Sequence, residues 1–179
     1  MKAQLLILSG LTALAGNATA QNGTISFDGE VAVYSCVVSA DGNANSGDAT
    51  VPLPTITSPA MVSPGSRAGM RHFKLVVGSA SQPCEAAAVS AHWLATGGLV
   101  DQDTGRLKNQ AGPGMATGVQ VVLLNDVQQD IDLRNDGNSQ TIAFDNGVAT
   151  LDYHGEYYAT GGLREGDVNT SVQYELDYR

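Results

Sequence analysis

Two runs of strict alternation bracket this chain. In residues 23–33 (GTISFDGEVAV), Ile25, Phe27, Gly29, Val31 and Val33 share one face, and Ser26, Asp28, Glu30 and Ala32 share the other. In residues 168–179, Val168, Thr170, Val172, Tyr174, Leu176 and Tyr178 oppose Asn169, Ser171, Gln173, Glu175, Asp177 and Arg179. A period of two over this length predicts half-buried β-strands. Gly29 interrupts the first apolar row where a strand would want bulk, which marks a place of close backbone approach. The second run reaches the last residue, and a strand with one apolar face demands burial there rather than fraying.

The intervening chain reads as short strands separated by turns. Val37-Val38 leads into a polar turn-rich loop (ADGNANSGD). Residues 51–56 (VPLPTI) carry two prolines and are expected as an edge strand or an extended arm. Residues 58–71 read as a long surface loop, and Phe73, Leu75 and Val77 as a strand ending at Gly78. Residues 86–94 carry helix-favouring alanines but no caps, and are expected as a strand ending at Gly97-Gly98. Residues 101–118 are turn-like, and 118–124 (GVQVVLL) form a strong central strand. Ile131 and Leu133 are expected to pair with Ile142 and Phe144 through the turn 135–138. Leu151, Tyr153, Tyr157 and Tyr158 follow as a strand with a bulge at Gly155 and an end at Thr160-Gly161-Gly162. Many short strands, many Gly/Asn/Asp turns and no capped helix predict an all-β antiparallel sandwich.

The first residues supply an address. Lys2, the apolar residues 5–15 and the A-x-A at Ala18-Thr19-Ala20 make a secretory signal peptide over residues 1–20, cleaved after Ala20. No later apolar run reaches spanning length, so no membrane insertion is expected. The two cysteines, Cys36 and Cys84, lie beyond the signal; in an oxidising compartment they are expected as one structural disulfide, lacking the C-x-x-C spacing of a redox pair. The net charge is −9 and the nine basic residues are scattered, which argues against nucleic acid and anionic membranes as partners.

Candidate chemistry is sparse. Residues 41–45 (DGNAN) open like a calcium loop, but Ser46 stands where the sixth-position Gly belongs and Pro52 where the twelfth-position Glu belongs. Residues 101–105 fail similarly. His72, His92 and His154 share no ligand spacing, so no metal or other cofactor is expected. There is no G-x-S-x-G, phosphate loop or H-E-x-x-H, so the chain reads as not an enzyme. Trp93 beside His92 could serve a sugar-stacking platform, though in a strand pattern it reads as core.

Taken in order, these segments are similar to one family. GTISFDGEV lies shortly before the first Cys, the second Cys follows an FKLVV strand, and GVQVVLLND stands in the middle. YYATGG at 157–162, Gly166 fourteenth from the end and the penultimate Tyr178 complete the set. The chain resembles a type 1-like major pilin of fimbriae assembled by the chaperone–usher pathway. That resemblance implies an immunoglobulin-like β-sandwich lacking its final strand, completed by donor-strand complementation. It implies an N-terminal donor-strand extension over residues 21–35 and a pilin domain over 36–179. Ile25, Phe27, Gly29, Val31 and Val33 would fill a neighbour's groove. Gly166, Val168, Thr170, Val172, Tyr174, Leu176 and Tyr178 would border this subunit's own groove and pair with a chaperone. The implied partners are other copies of the chain, a periplasmic chaperone and an outer-membrane usher, with export through the periplasm to a fimbrium on a Gram-negative cell. Two other functions fit the pattern: a minor tip or adaptor pilin contacting receptors, and a free-standing secreted sandwich in which residues 23–33 pair within their own molecule.

Overall fold

Eight strands, a single 3-10 turn (Ser58–Met61) and the loops between them make up residues 36–179, which the computed structural model describes. The expected leader and the alternating stretch 23–33 lie outside the described residues. In chain order the strands are β1 (Val38–Ala40), β2 (Arg67–Val77), β3 (Ala88–Trp93), β4 (Leu107–Lys108), β5 (Thr117–Leu124), β6 (Thr141–Ala143), β7 (Ala149–Arg164) and β8 (Tyr174–Tyr178). One sheet has the order β1-β2-β7-β5-β4 and the other β6-β3-β8, with every named pairing antiparallel.

The alternation of each strand sends one row of side chains between the sheets. Leu75 and Val77 from β2, Val119, Val121 and Leu123 from β5, and Leu151, Tyr153, Tyr157 and Ala159 from β7 meet Val89, Ala91 and Trp93 from β3 in one buried cluster. This is the two-layer solution to burying two one-sided sheets. The Cys36–Cys84 disulfide (Cα–Cα 5.3 Å) ties the entry to β1 to the segment that leads into β3.

Several local expectations change. β2 begins at Arg67, inside the stretch read as loop, because Arg67 and Ala68 pair with Tyr158 and Tyr157 across a register shift before Arg71. The irregularity expected at Gly155 therefore sits on the partner strand, at Gly69-Met70, and Gly155 itself stays in register with Leu123 and Arg71. β7 also continues through Gly161-Gly162 to Arg164 rather than ending there. The opposing β5 shifts register around Gly118, whose φ of +71° leaves no room for a side chain: a Cβ there would lie 2.3 Å from the Gly161 carbonyl oxygen. Ile131 and Leu133 form no strand; both are buried as anchors of a loop whose Ile131 N–H donates to the Leu123 carbonyl.

Replacing Cys36 by Ser is expected to lower the unfolding free energy by about 2–4 kcal/mol, since the bridge spans a sequence separation of 48. A urea titration of the exported chain reads this as a lower midpoint, and an unchanged midpoint would show the disulfide to be dispensable.

Candidate functional site

The loop after β7 sets up the site. Gly166 lies where a Cβ would come 2.5 Å from the Ala116 nitrogen and the Gly114 oxygen, so only glycine lets the chain pass. Two backbone bonds then pin Asp167: its N–H donates to Gly114 O (2.8 Å), and its carbonyl accepts from Ala116 N (2.9 Å). From there the chain runs extended to the C-terminus. The Asn169, Ser171 and Gln173 carbonyls accept from the N–H groups of Gln110 (3.0 Å), Leu99 (3.0 Å) and Leu94 (2.9 Å). β8 continues the same pairing against β3, where Arg179 and Ala88 exchange both bonds.

All these bonds lie on one side of the segment. In an antiparallel ladder alternate residues aim their N–H and C=O in opposite directions. Tyr174 and Leu176 therefore direct theirs away from β3, to the sheet edge. Val168, Thr170 and Val172 share that parity, and none makes a backbone hydrogen bond among the described residues. The side chains of Val168, Thr170, Val172, Tyr174, Leu176 and Tyr178 are half-buried, while the intervening ones are exposed. Only residues 174–178 of the alternating run form a laddered strand; the preceding six residues are held through loop contacts instead.

Opposite this wall stands a second one, residues 47–53. The prolines at 52 and 54 keep the arm extended but out of any ladder, and Val51 and Leu53 turn inward. Between the walls lies a groove with a volume of about 1020 Å³. Its floor is the core itself: Phe73, Leu75, Trp93, Leu107, Val121, Leu123 and Tyr157 line it. An aromatic chain runs beneath, with Phe73 stacked on Tyr153 (5.6 Å between centroids) and Trp93 edge-on to Tyr153 (5.2 Å) and tilted against Tyr174 (5.8 Å). Trp93 is 3% exposed, a core residue as its strand pattern implied; its backbone N–H is held by the Asp136 carboxylate (2.8 Å). The Trp93 indole N–H and the Thr170 hydroxyl are buried and find no hydrogen-bond partner among the described residues. Gly155 of β7 also lines the groove and adds no side chain to its floor.

The volume would suit a small ligand, but the polar groups do not converge on a point as they do in such sites. They form a row of unpaired backbone donors and acceptors beside an apolar trough. That arrangement is complementary to one thing, an extended peptide with alternating side chains.

The histidines are placed otherwise than their spacing indicates. His72 and His154 are directly opposed on β2 and β7, with rings 5.3 Å apart, and His72 bonds Asp152 (2.7 Å). His92 contacts the Asp136 carboxylate, whose hydrogen bond raises the imidazole pKa. On the same outer face as His72, Arg67 forms a bidentate pair with Asp130 and lies 3.8 Å from the buried Glu156, whose carboxyl burial pushes up. No group of three or more metal-ligating side chains is found among the described residues. Strand registers between distant segments made these neighbours, and no local motif could have shown them.

A family model described as type-1 fimbrial protein, A, matches residues 53–179. The major fimbrial subunit SMF-1 of Stenotrophomonas maltophilia is 37% identical over 90% of this chain and 95% of its own length. The F17 fimbrial protein of Escherichia coli is 33% identical over 97% of each. Among solved structures, a chaperone–usher pilus described for its rod uncoiling superposes with a TM-score of 0.59 at 16% identity, covering 92% of this chain and all of that one. The P pilus rod subunit PapA gives 0.57 at 15%, covering 80% and 99%.

Filling the groove from its floor should reduce its capacity without unfolding the sandwich. A Cβ at Gly155, which lines the trough, would make only ordinary contacts, 3.8 Å from Leu53 and 4.0 Å from Val121. Gly155→Val is expected to reduce binding of a fluorescent apolar dye several-fold while changing the unfolding free energy by no more than about 1 kcal/mol.

Proposed function

The chain belongs to the type-1 fimbrial protein family, and from that premise we propose that it joins its neighbours by lending residues 23–33 of one copy to the groove of the next. As a member of that family it is a structural subunit of a fimbria, a surface fibre of Gram-negative bacteria, and the family is not one of enzymes. The reading carries Ile25, Phe27, Gly29, Val31 and Val33 into the trough between residues 47–53 and 168–176, as the missing strand beside β8.

The observation that carries the proposal is the one-sided hydrogen bonding of residues 168–176 above an apolar floor. An open edge beside exposed core residues is an aggregation hazard unless a strand covers it. Residues 23–33 have the matching chemistry: an apolar row of period two on one face and a polar row on the other. Burying Ile25, Phe27, Val31 and Val33 contributes about 6–12 kcal/mol before the ordering costs of association. Gly29 lets that strand lie close to the floor at its midpoint. Each subunit both lends a strand and accepts one, so the contact is head-to-tail and generates an open fibre.

On this reading residues 1–20 are a removed export signal, 21–35 the donor extension and 36–179 the accepting domain. Before joining, the same edge is covered in the periplasm by a chaperone strand, and the subunit passes from chaperone to neighbour at an outer-membrane usher.

Gly29→Leu is expected to slow subunit joining about ten-fold or more by overpacking the shallow position, with chaperone capture unchanged. Densitometry of denaturant-resistant ladders reads the rate, and a normal ladder from the variant would contradict the register. Deleting residues 21–34 should leave a chaperone-held subunit that accepts a strand but donates none; a stable lone monomer from the intact chain would instead favour a free-standing sandwich.

A further inference from the structure

One hydrogen bond crosses the groove. Tyr174, on the β8 wall, donates its hydroxyl to the carbonyl of Gly47 on the opposite wall at 2.7 Å. The two residues fit closely: a Cβ on Gly47 would lie 3.1 Å from the Tyr174 hydroxyl oxygen. The ring is half-buried against Trp93, and burial raises its phenol pKa. The walls run in opposite directions. Gly47 faces Tyr174, whereas Leu53 packs over Gly155 in β7 and residue 167 is pinned to Gly114 and Ala116. The Tyr174–Gly47 bond therefore lies across one end of the trough.

Ahead of the bond the wall presents three inward positions, Val168, Thr170 and Val172. The donor row proposed above has five, Ile25 to Val33. A strand seated beside the first three leaves the bond intact; one that runs on beside Tyr174 and Leu176 must separate Tyr174 from Gly47. We infer that Tyr174 is a gate at the end of the strand-binding groove, whose bond to Gly47 must open before an incoming strand is fully seated. The inference rests on the donor-strand reading and adds to it a residue that governs how far along the groove the strand reaches. A positioning role of this kind belongs to the hydroxyl rather than the ring, since the ring packs on Trp93 in either state.

Trp93 is the chain's one tryptophan and sits in the groove floor beside Tyr174, so its emission reports seating directly. The test mixes the full exported chain at low concentration with a synthetic peptide of residues 23–33 and follows Trp93 fluorescence in the wild type and in Tyr174→Phe. Tyr174→Phe is expected to seat the peptide roughly five-fold faster, the equivalent of one neutral hydrogen bond, while its unfolding midpoint without peptide falls slightly. The opposite signs matter, because a hydroxyl that only stabilises the fold would lower the midpoint and leave seating no faster. Equal or slower seating in Tyr174→Phe, with the peptide binding normally to both, overturns the gate alone. Failure of the peptide to bind either protein overturns the donor-strand reading, and the gate with it.

Discussion

The structure depends on a backbone that is hydrogen-bonded along one side only. From Val168 to Leu176 the chain gives its odd-numbered residues to β3 and to the loops at Leu94, Leu99 and Gln110. The even-numbered groups face the other way. Backbone N–H and C=O are obligatory hydrogen-bonding groups, and once the groove is covered this row must find its partners in whatever covers it. A segment built in this way is half of a strand pair. Its apolar row alone would be satisfied by any greasy partner, but the unpaired backbone row demands one in extended conformation.

The rest of the fold holds that edge in place. The five-stranded sheet supplies most of the floor, and its longest strand, β7, contributes Gly155 and Tyr157 to it. One end of the wall is tethered where Gly166 lets the chain pass against Met115-Ala116 and where Asn109 donates to the Asp167 carbonyl (2.9 Å). The other end is tethered by Tyr174 to Gly47. The far wall stays out of any ladder because Pro52 and Pro54 cannot donate to one, which keeps the arm from closing over the trough. Trp93 joins the two roles: its backbone is held by Asp136 while its ring forms part of the floor.

How much of this was legible beforehand follows from the range of the interactions. The inward row of 168–178 is a period-two signal carried by neighbouring residues, though only Tyr174–Tyr178 of it forms a laddered strand; the strands at β3 and β5 and the buried Trp93 also lie where the local sequence puts them. The strand pairing of Arg67 and Ala68 did not, because it depends on Tyr157 and Tyr158 some ninety residues away rather than on the Ser/Pro/Gly-rich stretch before them. Gly161-Gly162 read as a terminator, yet their positive φ angles let β7 bulge and rejoin β5 at Thr117. Ile131 and Leu133 alternate like a strand but serve as buried loop anchors, a distinction that periodicity over three residues cannot make. Of the site, one wall was visible as an alternating run and the other only as a proline-bearing arm; their facing each other is a tertiary fact.

The central claim concerns specific amide protons, so residue-resolved hydrogen exchange tests it most directly. The N–H groups of Val168, Thr170 and Val172 are followed by quenched exchange in the unjoined subunit and in the assembled fibre. The account predicts rapid exchange in the subunit and protection by two orders of magnitude or more, on the order of a ladder hydrogen bond in a stable sheet, once a neighbour's strand is seated. Equally fast exchange of these three amides in subunit and fibre would contradict it.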